Sequence, residues 1–548
     1  MSIGISKTPF TNAWFSGLLF KNQWQGSVLT YSIPSGIAYF SSNYSSLNEW
    51  SKWFPLNQSQ ASQFRNISEL FNSYIQLELV EVPDKQTYGD IRIAYTDTMG
   101  FGKLGYAYLP TPLFLNGSRP SDVAGDIWLS RQLYNRSDKP GGDLFHVMMH
   151  ELGHSLGLTH PFESNSPFPS SNPQYDNFRY SVMSYDWHPS HPGAFPITPM
   201  LMDIAALQYL YGANLTHSPE DTVYQFNDII NIQTIWDPNG YNTLDFSSLT
   251  SGVSVDMNPG TFSSAGSVLT SNNNVQTGKH NLALAFGTKI DALVATNFDD
   301  VITGNFLDNY VLLGQGNDIY IYMGGMDSVM GSTDVDTIIL PGPVSEWLLN
   351  DSHNSEFQHL LQSKSNTNSM IFFNNIDVFE LENQRYTIDQ FTSHKHDKPF
   401  IAQFMNNEDL FSSNILGQKG VILAEEAQLY RIYLGLLDRL PDQLGFNWWM
   451  NRYSQDASFD ELILGFYNSK EFIQLADTNQ DGLISNRELL DHLYVNVLGR
   501  DSDVEGYNWW LNTIDSQSVS HSNVIFSFTQ SEEFCQMTLQ TVGDFLWA

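Results

Sequence analysis

Residues His150 to His160 read HELGHSLGLTH, and their types and spacing are those of a zinc site built for hydrolysis. His150 and His154 stand four apart, so on a helix both imidazoles leave the same face one turn apart and can share a tetrahedral Zn²⁺. Glu151 follows the first histidine and lies beside the metal without binding it, where a carboxylate takes a proton from a zinc-bound water and passes it to a departing amine. Gly157 can break the helix in a backbone conformation closed to residues with a Cβ, which turns the chain so that His160 returns as third ligand. Each further fixed Gly or His in the pattern H-E-x-x-H-x-x-G-x-x-H makes an accidental match rarer. His146 sits one turn before His150 and extends the histidine stack; with three ligands already supplied, it is expected to be a packed side chain.

A second motif, SVMSYDW at 181–187, follows downstream. Together the two motifs resemble the serralysins, secreted bacterial zinc metalloproteases of the metzincin class. LTYSIP at 29–34, GYAYLP at 105–110, GDIWLS at 125–130 and MDIAALQYLYGAN at 202–214 are similar to serralysin segments in the same order, so the resemblance covers residues 13–215. It implies that Met183 forms the tight turn under the zinc. It also implies that Tyr185 is a fifth zinc ligand able to swing away and hydrogen-bond the tetrahedral intermediate. In that family the strand matching Tyr106, Ala107 and Tyr108 is the sheet edge on which a peptide lies antiparallel. Such pairing is made by main-chain hydrogen bonds, so broad specificity toward protein substrates is expected.

The elements beyond the protease region carry their own patterns. Asp300, Asn309, Asp318, Asp327 and Asp336 are spaced by nine, and two residues after each comes Ile302, Val311, Tyr320, Val329 or Ile338. This is the periodic part of the calcium-binding nonapeptide G-G-x-G-x-D-x-U-x, whose apolar position fills a parallel β-roll. The glycines are eroded: Gly314 and Gly316 with Asp318 make one good turn, and Gly324 and Gly325 with Asp327 a partial one. Calcium is therefore expected at Gly314, Gly316, Asp318 and Asp327. Nearer the C-terminus, Leu429–Met450 returns as Leu493–Leu511, a mostly helical unit repeating at about 62 residues. It is similar to a helical domain of unknown function found in tandem on bacterial RTX and surface-layer proteins. Its paired Asn447, Trp448, Trp449 and Asn508, Trp509, Trp510 are read as packing anchors. Between the copies, DTNQDGLISNRE satisfies the EF-hand loop: Asp477, Asn479 and Asp481 offer side-chain oxygens, Gly482 makes the turn, Leu483 offers its carbonyl, Ser485 acts directly or through water, and Glu488 closes the site.

Composition bounds the rest. With 59 acidic and 25 basic residues the formal charge is −34, which argues against nucleic acid or anionic membrane as partners. A hydrophobic fraction of 41% supports packed cores, so the acidity belongs to a folded surface. The single cysteine, Cys535, excludes an intrachain disulfide and leaves stability to packing and metals. No stretch is long and apolar enough to span a bilayer. The terminal GDFLWA resembles the C-terminal signals of type I secretion substrates.

The fold expected is an α+β metzincin protease domain, then a parallel β-roll with degenerate RTX repeats, then a mostly α-helical tandem repeat. The boundaries expected are a short propeptide at 1–20, the catalytic domain at 21–215, the roll at 216–345, a β cap at 346–395, a linker at 396–420, the helical repeat with its EF-hand-like loop at 421–540, and a secretion signal at 541–548. The function expected is that of a secreted, calcium-stabilised zinc endopeptidase with one catalytic Zn²⁺ and several structural Ca²⁺, monomeric, exported by type I machinery. The alternative is an extracellular adhesin or surface-layer protein with a vestigial protease domain; the intact ligand set speaks against it.

Overall fold

The computed structural model describes the chain apart from residues 1–3, 7–14, 39, 41–43, 86, 111–122, 164–170, 353–355, 365–368, 383, 394–418, 438, 440–448, 450–458, 479–480, 498–503, 516–519, 530, 532–533, 535–537 and 539–548. The expected linker, except its last two residues, and the expected secretion signal lie outside the described residues. The chain divides into two compact units, Met1–Met405 and Asn406–Ala548.

The first unit begins as an α+β domain. Its sheet runs in the order Glu78–Glu81, Val28–Ser32, Ile91–Thr96, Ile127–Ser130 and Gly105–Ala107, with Trp53–Phe54 pairing on Ile91–Thr96. The first four strands are parallel, and Gly105–Ala107 closes the edge antiparallel to Ile127–Ser130. Ile91–Thr96 and Ile127–Ser130 are buried along their whole length, as expected of central strands covered on both faces. Helix Gln58–Tyr74 starts at a capping box between Asn57 and Gln60 and buries Phe64, Ile67, Phe71 and Tyr74. Helix Asp143–Ser155 carries the first motif, and helix Leu201–Tyr211 is buried around most of its circumference.

The carbonyls that end the motif helix find partners from distant segments, so its last turn is fixed and not frayed. Trp24 Nε1 donates to Ser155 O at 2.7 Å, Tyr211 Oη to Leu156 O at 2.6 Å, and the Phe20 amide to Gly157 O at 2.9 Å. Phe15, Leu18 and Leu19 are buried in the same region. The described residues of the expected propeptide thus include a segment, 15–20, that packs against the end of the motif helix.

From Thr222 the same unit becomes a β-roll. Between Ala292 and Ile339 strands of three to five residues alternate between two parallel sheets, so pairing joins residues 18 apart: Val301 with Ile319 and Ile319 with Thr337 in one sheet, Tyr310 with Ser328 in the other. Ile302, Val311, Tyr320, Val329 and Ile338 point inward and are fully buried, filling the roll at the positions their spacing predicts. Antiparallel strands Trp347–Asp351 and His359–Ser363 pair onto Met370–Asn374, and Gln384–Thr387 pairs onto Val378–Leu381, which covers the last rungs.

The second unit is helical, with Lys419–Leu437, Phe459–Tyr467, Lys470–Ala476, Asn486–Asn496, Val504–Asp515 and His521–Thr529 among its described elements. Leu429, Tyr433, Leu436, Phe466, Leu489, Leu493 and Phe528 form its core. Trp449 stacks on Phe466 at 4.8 Å, over a glycine, Gly465, that leaves room for the indole. Trp510 packs on Phe528 at 5.4 Å, so both described tryptophans act as packing anchors; Asn447 and Trp448 lie outside the described residues, while Asn508 is exposed.

Candidate metal and catalytic site

Nε2 of His154 lies 3.2 Å from Nε2 of His160, and one donor atom from each of His150, His154 and His160 falls within 4.8 Å of the others. Each Nδ1 faces an acceptor: His150 Nδ1–H donates to Val182 O at 2.9 Å, His154 Nδ1–H to Leu158 O at 2.8 Å, and His160 Nδ1–H to Glu163 Oε1 at 2.9 Å. A carbonyl or carboxylate oxygen can only accept, so the protons sit on Nδ1 and three Nε2 lone pairs converge without a proton between them. That donor set fits zinc. Bond lengths of about 2.0–2.1 Å in a tetrahedron place donors about 3.3 Å apart, close to the separation seen. Burial also keeps two of these imidazoles neutral, holding His150 down to about 4 and His154 well below its ordinary value.

The turn at Gly157 follows from its φ of +97°, which admits glycine and strains any other residue. Gly153 has a different task that the motif alone does not reveal. A Cβ there would meet Met183 Sδ at 2.6 Å, so the helix approaches the turn at Met183 across a missing side chain. Met183 itself is completely buried.

Beneath this turn lies Asp203, fully buried, whose carboxylate accepts from Ser181 Oγ at 2.6 Å, from the Val182 amide at 2.8 Å and from the Met200 amide at 2.8 Å. Val182, whose amide it holds, also carries the carbonyl that orients His150. Burial raises Asp203 to about 7, against the pull of those three donors. An acid inside the apolar run LMDIAALQYLY was the available sequence signal, since a buried charge persists only where donors meet it.

Glu151 is buried on the other side of the helix, where Gly105 of the edge strand comes so close that a Cβ there would lie 2.7 Å from Glu151 Oε1. Its Oε2 is buried without a hydrogen-bond partner. Burial pushes Glu151 up to about 8, opposed by the Lys103 charge and the Ala107 amide. Tyr185 is exposed and its hydroxyl lies 2.8 Å from His160 Nε2, on the rim of the three-nitrogen cluster. Phe162 stacks on the His160 ring at 5.0 Å and 4°. His146 is packed, as expected: it stacks on Phe195 at 4.6 Å and meets Phe178 edge-on at 4.7 Å.

The calcium candidates stand differently. Gly314 and Gly316 have φ of +88° and +120°, and a Cβ on either would strike the backbone of the rung below, so stacking alone demands both glycines. Asp318 Oδ1 accepts from the Asp300 amide at 2.8 Å, leaving Oδ2 buried without a partner. Asp327 spends both oxygens, on the Asn309 amide at 2.9 Å and on the Tyr320 hydroxyl at 2.5 Å. In the helical unit, Asp477 accepts from the Asp481 and Gly482 amides at 3.2 and 2.7 Å, and Asp481 from the Leu483 amide at 2.8 Å. Glu488 accepts from Thr478 and Ser485, the latter in a capping box that starts helix Asn486–Asn496. Asn479 lies outside the described residues. Among the described residues, His150, His154 and His160 alone form a converging group of three or more such donors.

With this geometry in place, comparison with known proteins gives the class. Residues 44–180 match the matrixin model, 208–342 the peptidase M10 serralysin C-terminal model, and 410–476 and 478–538 the domain of unknown function DUF4214. The chain therefore carries a metzincin domain, a serralysin C-terminal β-roll region and a helical region with DUF4214, and over the first two of these it is similar to serralysins. Among its relatives, a serralysin of Photorhabdus laumondii is 29% identical over 282 residues, 46% of this chain and 55% of the relative. Serralysin C of Dickeya chrysanthemi is 31% identical over 230 residues, covering 37% and 43% of the two chains. Metalloprotease AprA of Pseudomonas entomophila is 31% identical over 240 residues, covering 38% and 46%. The chain spans about half the length of the curated relatives it matches. Among the described residues no helix is long and apolar enough to cross a membrane.

Proposed function

We propose that the chain is a secreted zinc endopeptidase of broad specificity, stabilised by calcium. The observation that carries this reading is the convergence of three proton-free imidazole nitrogens beside a buried carboxylate and an open strand edge. Zinc held by His150, His154 and His160 would supply Lewis acidity, polarising a scissile carbonyl and acidifying water at neutral pH. Glu151 then serves as the proton carrier, receiving a proton on its carboxylate from the attacking water and delivering it to the leaving amine nitrogen. Tyr185, exposed at the rim, donates a hydrogen bond from its hydroxyl to the oxyanion as charge develops there. Substrate lies along Gly105–Ala107, the last strand of its sheet, and is held through main-chain hydrogen bonds.

Secretion by a type I exporter agrees with the acidic, cysteine-poor composition and with the serralysin relatives. The adhesin alternative requires a decayed centre, whereas the ligand set, Glu151 and the acceptors behind each imidazole are all in place. Casein hydrolysis measured before chelation, after chelation and after zinc is restored tests the reading. Activity lost and regained supports it; activity indifferent to the chelator, or absent throughout, removes it.

A further inference from the structure

Glu49 is fully buried and none of the site residues discussed above lies next to it in sequence, yet it grips the strand that borders Glu151. Its Oε1 accepts from Tyr106 Oη at 2.5 Å and also from Tyr108 Oη, while Oε2 accepts from Ser45 Oγ. Its own carbonyl accepts from Thr96 Oγ1 at 2.9 Å, which ties the residue to a central strand of the sheet. Tyr106 and Tyr108 are two apart and so leave the edge strand on one face, while Gly105 and Ala107 face the other way, toward Glu151. The two rings meet edge-on at 5.7 Å, and Lys103 Nζ lies 4.3 Å from the Tyr106 ring.

We infer that Glu49 is a positioning residue for extended substrates: by gathering both tyrosine hydroxyls on one carboxylate it fixes the height and register of the edge strand relative to Glu151. The inference rests on the protease reading above. Among the described residues Gly105–Ala107 is a terminal strand of three residues with a partner strand on one side only, and an edge of that kind is held more weakly than a central strand. A peptide that adds to its open side must first order it, and any disorder left in the strand is subtracted from affinity. Gly105 shows how little play is allowed, since the strand backbone already lies against the Glu151 carboxylate. The carboxylate acts behind the strand, and its two hydroxyl bonds are charge-assisted and therefore strong.

The test measures binding, so that it does not depend on turnover. Two probes are titrated calorimetrically into the zinc-loaded full chain: an extended peptide whose scissile amide is replaced by a reduced bond, and a small hydroxamate that reaches only the histidine cluster. Glu49→Ala is expected to weaken the extended probe about tenfold, with faster amide exchange over residues 105–108, while the hydroxamate binds as before. Glu49→Gln keeps an acceptor oxygen for the tyrosines and should restore most of the loss, which separates positioning from a folding defect. Equal weakening of both probes, no weakening of the extended one, or no rescue by Gln would overturn the assignment. A parent chain that binds both probes yet cleaves no protein would count against the protease reading and leave the role of Glu49 intact.

Discussion

Replacing Asp203 by Ala should damage both the fold and the metal site. The variant strands the Val182 and Met200 amides in a site closed to water, while Ser181 can turn its hydroxyl elsewhere. At roughly 1–3 kcal/mol for each buried unpaired donor, the loss is about 2–6 kcal/mol. For a domain of this size that lowers the melting temperature by roughly 5–20 °C. The Val182 carbonyl also loses its support, and because it fixes the ring of His150, zinc affinity should fall about 10- to 100-fold. Asp203→Asn keeps one oxygen for the two amides and should recover most of both losses. Calorimetric unfolding and zinc competition against a chelator read the two effects separately. An Asp203→Ala protein that melts with its parent and holds zinc as tightly would refute the argument that this carboxylate braces the ligand.

Gly153→Ala places a Cβ against Met183 Sδ and should cost about 1–3 kcal/mol in thermal unfolding, as overpacking does, with Met183→Ala in the same chain relieving the collision. Tyr185→Phe should leave the melting temperature unchanged and lower kcat about 10²-fold, as loss of one oxyanion donor does; unchanged kcat would make Tyr185 a bystander. Acid should loosen the contact between residues 188–191 and 276–280. His188 Nδ1 accepts from the Ser190 amide at 3.1 Å and its Nε2–H donates to His280 O at 3.1 Å, and burial holds His188 down to about 3 and His280 to about 4. These depressed values mean that stability is full above about 6.5, where the unfolded imidazoles are neutral too, and drains as pH falls from there toward 4. Unfolding followed from pH 7.5 to 4.5 should show that decline, reduced in His188→Gln. Calcium added to chelated protein should raise the melting temperature of the roll, and Asp318→Asn should remove part of the gain, because Asp318 Oδ2 is the ladder oxygen left without a partner.

The parts of this molecule that repeat or chelate were legible because their chemistry fixes spacing. Three imidazoles around one ion need the i, i+4 helix pair and the turn at Gly157, and a roll of 18-residue coils needs an apolar residue every nine, so Ile302 to Ile338 could be placed inside before any strand was seen. What stayed hidden depends on contacts between segments far apart in the chain. Glu49 reaches Tyr106 and Tyr108 across 57 and 59 residues, and Trp24 reaches Ser155 across 131. No local period encodes such pairs. The EF-hand-like loop was legible as a spacing, and its Asp477 and Glu488 also fasten it to the Gly482 amide and to the start of helix Asn486–Asn496. The paired tryptophans read from the sequence as packing anchors, and Trp449 and Trp510 do pack, on Phe466 and Phe528.

If His150, His154 and His160 hold zinc while Glu151 moves the proton, Glu151→Gln separates the two roles, because the amide keeps the shape of the side chain and cannot carry the proton. Zinc content and casein hydrolysis should be measured on the same preparation of this variant and its parent. Both proteins should hold one zinc per chain, with hydrolysis in the variant reduced on the order of 10³-fold or more. A zinc-loaded Glu151→Gln chain that cleaves casein at the parental rate would contradict that division of roles.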